Sequence, residues 1–235
     1  MRIKFSDIQL SEDQSHFLYK GKILFNQYFK KVLKFHPPGL AAVSDTTGWY
    51  HIDITGKEIY KQKYNRVFGY YDLRATVVLN KHWFHINEKG AKVYKHKFSW
   101  CGNFQEYKCA VRNHKNLYFH IDREGNPIYK ENYLYAGDFY EDKACVRLKT
   151  GLMIHINTKG ERIYSKEFLD LGVFHKGFAT AKDQKGWHHI DRSGSPLYKE
   201  RYHFTEPFYN GFALVENFQS EKLIINEKGK KILKL

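Results

Sequence analysis

Residues 120–129 read HIDREGNPIY, and the same ten-residue phrase returns along the chain. It stands as HIDITGKEIY from His51, HINEKGAKVY from His85, HINTKGERIY from His155 and HIDRSGSPLY from His189. Altered copies occupy the two ends, HFLYKGKILF from His16 and IINEKGKKIL from Ile224. The glycines of the phrases (Gly21, Gly56, Gly90, Gly125, Gly160, Gly194 and Gly229) are spaced 35, 34, 35, 35, 34 and 35 residues apart. A period this regular marks a repeat architecture, whose units bury their apolar faces only by stacking on one another.

Working outward from the phrase, a second constant element appears. An aromatic (Tyr70, Phe104, Phe139, Phe174, Phe208) is followed five residues on by Ala75, Cys109, Ala144, Ala179 or Ala213. Two further on stands Val77, Val111, Val146, Ala181 or Val215. The first copy, Phe35 with Ala41 and Val43, carries one inserted residue at HPPG. Alternation of this kind is strand periodicity. Each unit therefore reads as an AxV strand, a turn, the HID strand, an Asx-x-x-Gly turn and a short strand such as KVY. Both faces of the HID strand are apolar, so both must be covered. The expected fold is all-β: seven units of about 35 residues forming one domain, 1–235, as a closed seven-bladed β-propeller. Units start near 16, 51, 85, 120, 155, 189 and 224, with 1–15 and 224–235 sharing the closing blade. A six-bladed propeller and an open β-solenoid are the alternatives.

Composition agrees with a folded β chain. Hydrophobic residues make up 42% and aromatics 17%, with 18 Tyr and 18 Phe. No apolar run reaches the roughly 18 residues a membrane span needs, and the N-terminus has no signal-peptide core. A cytoplasmic protein is expected. Three cysteines without CxxC spacing argue against a disulfide framework or a zinc site, and Cys109 and Cys145 read as small buried thiols. The net charge of +14 favours acidic partners, although arginine, the preferred reader of base edges, is sparse beside lysine.

The phrases GWYHIDITGKEIY and GWHHIDRSGSPLY resemble the bacterial WG repeat, named for its Trp-Gly or Gly-Trp pair. The resemblance extends from His16 onward. Gly48-Trp49 and Gly186-Trp187 keep the pair, Trp83 keeps the Trp alone, and Tyr118, Met153 and Lys222 replace it elsewhere. It implies a repeat scaffold with no general enzymatic activity.

The candidate chemistry follows the same period. Asp53, Asp122 and Asp191 alternate with Asn87, Asn157 and Asn226, so the position needs a hydrogen-bond acceptor for a turn and not an acid. His16, His51, His85, His120, His155 and His189 recur where the last copy has Ile224. Symmetry-related positions diverge, so these histidines read as ties between strands and not as metal ligands. No nucleophile elbow, P-loop or HExxH occurs. No enzyme activity, catalytic residue, metal or cofactor is expected. A lysine follows the IY strand at Lys61, Lys95, Lys130 and Lys199, with Lys63, Lys97 and Arg201 two residues later. Repetition would gather these into a basic rim. The expected function is an interaction scaffold that binds a macromolecular partner, a protein first, across one face. Binding of a polyanion (nucleic acid, acidic glycan or anionic lipid) through the rim is the alternative, and lectin-like glycan binding a second.

Overall fold

The computed structural model describes residues 3–235. The chain divides into two compact units. One runs to Asn116 and takes in His120–Pro127; the other comprises Leu117–Phe119 and Ile128–Leu235. In a repeat chain contacts fall mostly between sequence neighbours.

In the first unit three antiparallel three-stranded sheets follow one another. They are Ile8–Leu10, Phe17–Tyr19 and Lys22–Ile23; Lys31–His36, Leu40–Ser44 and Trp49–Asp53; and Arg66–Tyr71, Arg74–Leu79 and His82–Ile86. Trp100–Cys101, paired with Cys109–Arg112, begins the next copy, and Tyr118–Ile121 is its following strand. The second unit holds Tyr135–Ala136, Lys143–Arg147 and Met153–Asn157, then Asp170–Leu171, Ala179–Asp183 and Gly186–Ile190. Its last sheet has four strands: Phe204–Thr205, Phe212–Glu216, Lys222–Asn226 and Lys231–Lys234. Phe5–Asp7 is the one helical turn among the described residues.

From the second sheet on, the AxV run supplies the second strand and the HID run the third, whereas in the first sheet the phrase copy Phe17–Tyr19 is itself the middle strand. Ala41 faces Ile52, Ala42 faces His51 and Val43 faces Tyr50 across the hairpin. A middle strand packed on both faces has room only for small side chains. Ala41, Val43, Ala75, Val77, Val111, Val146, Ala181 and Val215 are accordingly inaccessible to solvent. Each buried valine contributes about 1.5–3 kcal/mol, and enlarging an alanine here would overpack the layer at about 1–3 kcal/mol.

After the Asx turn the chain runs back along the HID strand but pairs with its backbone at only two points. Ile52 bridges to Glu58 and Trp49 to Tyr64; Ile86 to Lys92 and Trp83 to Phe98; Ile156 to Arg162 and Met153 to Phe168. Between the bridges the segment bows outward. In the three-stranded sheets after the first, a sheet thus begins midway between the expected unit starts, and the phrase forms its third strand.

Both terminal strands pair locally. Ile8–Leu10 pairs with Phe17–Tyr19, and Lys231–Lys234 pairs with Lys222–Asn226. Each is taken up by the hairpin beside it in sequence, where the closing loop is short and its entropy cost small. Residues 1 and 2 of the segment 1–15 lie outside the described residues.

Candidate functional site

The repeated histidines from His51 to His189 are fully buried, and four of them are held at three points in the same way. The Nε2–H of His51 donates to the carbonyl of Phe68 at 2.8 Å, and its Nδ1 accepts from the Tyr60 hydroxyl at 2.6 Å. The imidazole also packs against Tyr70, with centroids 4.6 Å apart. His85 repeats this with Gly102, Tyr94 and Phe104; His155 with Gly172, Tyr164 and Phe174; His189 with Glu206, Tyr198 and Phe208. The tyrosine belongs to the histidine's own sheet, whereas the carbonyl and the second aromatic ring belong to the next. Because a carbonyl can only accept, Nε2 carries the proton and Nδ1 is the acceptor. Burial pushes these four imidazoles down to about 4, so they are neutral at neutral pH.

The glycine of the following phrase completes the joint. Gly160 (φ +80°) lies against the ring of Tyr129, where an added Cβ would sit 2.6 Å from Cγ, and Gly229 (φ +75°) is likewise pressed on Tyr198. The Asx side chains cap their turns: Asp122 Oδ1 accepts the N–H groups of Glu124 and Asn126, and Asn157 Oδ1 those of Lys159 and Glu161. Histidine, tyrosine, glycine and Asx are all occupied in building the sheets. Among the described residues no group of three His, Cys, Asp or Glu is placed to hold a metal. The three cysteines are buried, and burial raises the Cys145 thiol to about 11.

Lys61, Lys95, Lys130 and Lys199 lie on the bowed outer segments and are exposed, as is Lys97. None of these five takes part in an ion pair among the described residues. Lys63 and Arg201 behave differently. The Lys63 ammonium reaches Glu58 at 2.7 Å and lies over the Tyr50 ring, and the Arg201 Nε bonds Asp183 at 2.7 Å. Both are half-buried and neutralised locally, which separates them from the exposed lysines.

The hairpins joining the first and second strands of each sheet carry features absent from the sequence expectations. In the second unit Tyr140, His175 and Tyr209 occupy one repeat position on successive hairpins, with centroids 6.2 and 5.4 Å apart. Tyr140 is 47% and Tyr209 63% exposed. In the first unit His36 and Tyr71 take the same position and pack at 4.8 Å. There the hairpins line a cavity of about 540 Å³ that includes Pro37, Leu73, Tyr107, Asp72 and Arg123. Burial, reinforced by Lys34, lowers the His36 imidazole, which favours its neutral form. A signal for this position exists in the sequence: these residues directly follow the constant aromatics Phe35, Tyr70, Phe139, Phe174 and Phe208.

The fold is shared with solved structures. A eukaryotic initiation factor superposes with a TM-score of 0.57 at 11% identity, over 89% of this chain and 66% of that one. The computationally designed Ika8 protein gives 0.53 at 8% identity over 97% and 85%, and BamB from Moraxella catarrhalis 0.52 at 11% identity over 94% and 76%. At such identities the likeness shows the fold alone, and that fold is the β-propeller. No family model matches the chain, and no curated protein sequence matches it. Fold and surface together define an all-β repeat protein of propeller type, with exposed aromatics on its hairpins. Among the described residues no helix is long and apolar enough to cross a membrane.

Proposed function

We propose that this chain is a non-catalytic interaction scaffold whose hairpin turns bind a macromolecular partner, a protein. The row Tyr140–His175–Tyr209 carries the reading: ring next to ring, with both tyrosines exposed and His175 half-buried between them, and using none of the groups that hold the sheets together. Tyrosine offers large contact area for little conformational entropy and is enriched in the centres of protein interfaces. In this reading the seven sheets are the blades of a closed propeller and the phrase is a divergent WG repeat. Capture of partners by the full chain at low and high salt, beside a Tyr140→Ala/Tyr209→Ala variant, tests it. A protein retained at high salt by the parent and lost by the variant is expected; equal capture by both would overturn the reading.

A second reading has its own observation. The exposed and unpaired Lys61, Lys95, Lys130 and Lys199, within a chain of charge +14, suit a polyanion. Binding of that kind weakens steeply with salt because counterions are released, whereas an aromatic protein contact is far less sensitive.

A further inference from the structure

Two carboxylates occupy equivalent hairpin positions, Asp72 in the first unit and Glu141 in the second. Each accepts a backbone N–H from the next hairpin: Tyr107 to Asp72 at 2.8 Å, Gly177 to Glu141 at 3.2 Å. In the second unit an arginine finishes the arrangement, with Arg192 Nη2 2.8 Å from Glu141. Arg123 is the repeat equivalent of Arg192, since each follows the Asx of its phrase. Yet Arg123 does not pair with Asp72. Where the second unit has Gly177 the first has Tyr107, and the Arg123 guanidinium lies over that ring, 5.5 Å from its centroid. Its Nε is buried without a hydrogen-bond partner. Arg74, the other arginine at this point, is occupied by the carbonyls of Leu73 and Arg123.

The result is a cavity holding one cation and one anion that do not neutralise each other. Its walls are apolar and aromatic: Pro37, Tyr71, Leu73 and Tyr107. A volume of about 540 Å³ suits a small molecule. A buried guanidinium edge without a partner is costly to leave unmet, and its planar fork matches a carboxylate. A simple anion would feel Asp72, and a simple cation Arg123.

We propose that this cavity binds a small zwitterion of the α-amino-acid kind with an aromatic side chain. Its carboxylate accepts from Arg123, its ammonium donates to Asp72, and its ring lies between Tyr71, Leu73 and Tyr107. The inference is independent of the scaffold reading.

The test is a titration of the full chain, followed by amide NMR shifts at residues 72, 107 and 123. The probes are L-phenylalanine, L-tyrosine and L-tryptophan, with 3-phenylpropanoate and 2-phenylethylamine as half-ligands lacking one charge. At least one amino acid is expected to bind about tenfold or more tighter than either half-ligand, one tenfold step being about 1.4 kcal/mol. Asp72→Asn keeps an acceptor for the Tyr107 N–H, and Arg123→Lys keeps the charge without the fork. Each should weaken binding about tenfold with an unchanged unfolding midpoint, while Arg192→Gln leaves binding intact. A half-ligand that binds as tightly as the amino acids overturns the proposal. So does the absence of shifts with all three amino acids, or a loss of binding in Arg192→Gln equal to that in Arg123→Lys.

Discussion

The Tyr60 hydroxyl donates to His51 Nδ1 across 2.6 Å, linking the outer segment of a sheet to its third strand while the far side of the same imidazole is bound to the next sheet. One ring therefore joins three segments, and the joint recurs at His85, His155 and His189.

Tyr60→Phe removes the donor and leaves a buried imidazole acceptor unmatched, a loss of about 1–3 kcal/mol. Urea unfolding should show a lower midpoint with an unchanged slope. An unaltered midpoint would show that the phenol contributes packing alone.

Acid should destabilise the protein through the same rings. His51, His85, His155 and His189 titrate near 4 when folded, mainly because burial disfavours the cation, against an ordinary 6.5. Between those values the unfolded chain binds more protons than the folded one, so stability falls with falling pH. It is full above 6.5, declines towards 4, and below 4 these groups add no further loss. A tenfold difference in proton affinity between the folded and unfolded chain corresponds to about 1.4 kcal/mol, so the decline should be steep. Urea midpoints taken across this window would settle it, and a level profile would mean that the imidazoles are not held neutral.

Gly160 and Gly21 have similar positive φ but different surroundings. An added methyl at Gly160 meets the Tyr129 ring, whereas at Gly21 nothing lies within 4 Å. Gly21→Ala should cost only the backbone strain, about 1–2 kcal/mol. Gly160→Ala should add about 1–3 kcal/mol for overpacking. Asp122→Asn, which keeps the turn acceptor, should be near neutral. Equal losses at the two glycines in thermal unfolding would discount the tyrosine contact.

Changing Lys61, Lys95, Lys130 and Lys199 together to glutamine tests the basic rim. If a polyanion binds there, heparin affinity drops, and for duplex DNA the salt slope flattens by roughly 0.9 for each phosphate that is no longer neutralised. Glutamine at Lys89, Lys159, Lys185 and Lys228, equally exposed, serves as the comparison. The same loss in both sets would make the charge diffuse.

Much of this is legible in the sequence. The 35-residue period and the AxV spacing anticipate the repeated antiparallel sheets, and the Asp/Asn exchange at 53, 87, 122 and 157 anticipates turn caps. The histidines read as ties, but their second partner lies 17 residues on, across a sheet boundary that the phrase itself hides. Lys63 and Arg201 look like surface charges because Glu58 and Asp183 approach them only once the outer segment folds back. The hairpin position is obscured by Gln105, which interrupts the aromatic series, while Tyr107 two residues later supplies the ring. Whether such a ring is covered depends on the turn's left-handed residues, Asp72, Leu73, Glu106 and Tyr107, and no residue pattern announces those.

The three-point hold on each imidazole also sets an order of events during synthesis. A histidine emerges from the ribosome 9 residues ahead of the tyrosine that serves its Nδ1 and 17 ahead of the carbonyl that takes its proton. The newest sheet on a growing chain is thus always incomplete, and its imidazole must stay hydrated until the first strand of the next copy arrives. Each copy that follows thus supplies the groups that complete the one before it. The copy with Ile224 in the histidine's place is exempt, since a branched hydrocarbon side chain requires no acceptor from anything that follows.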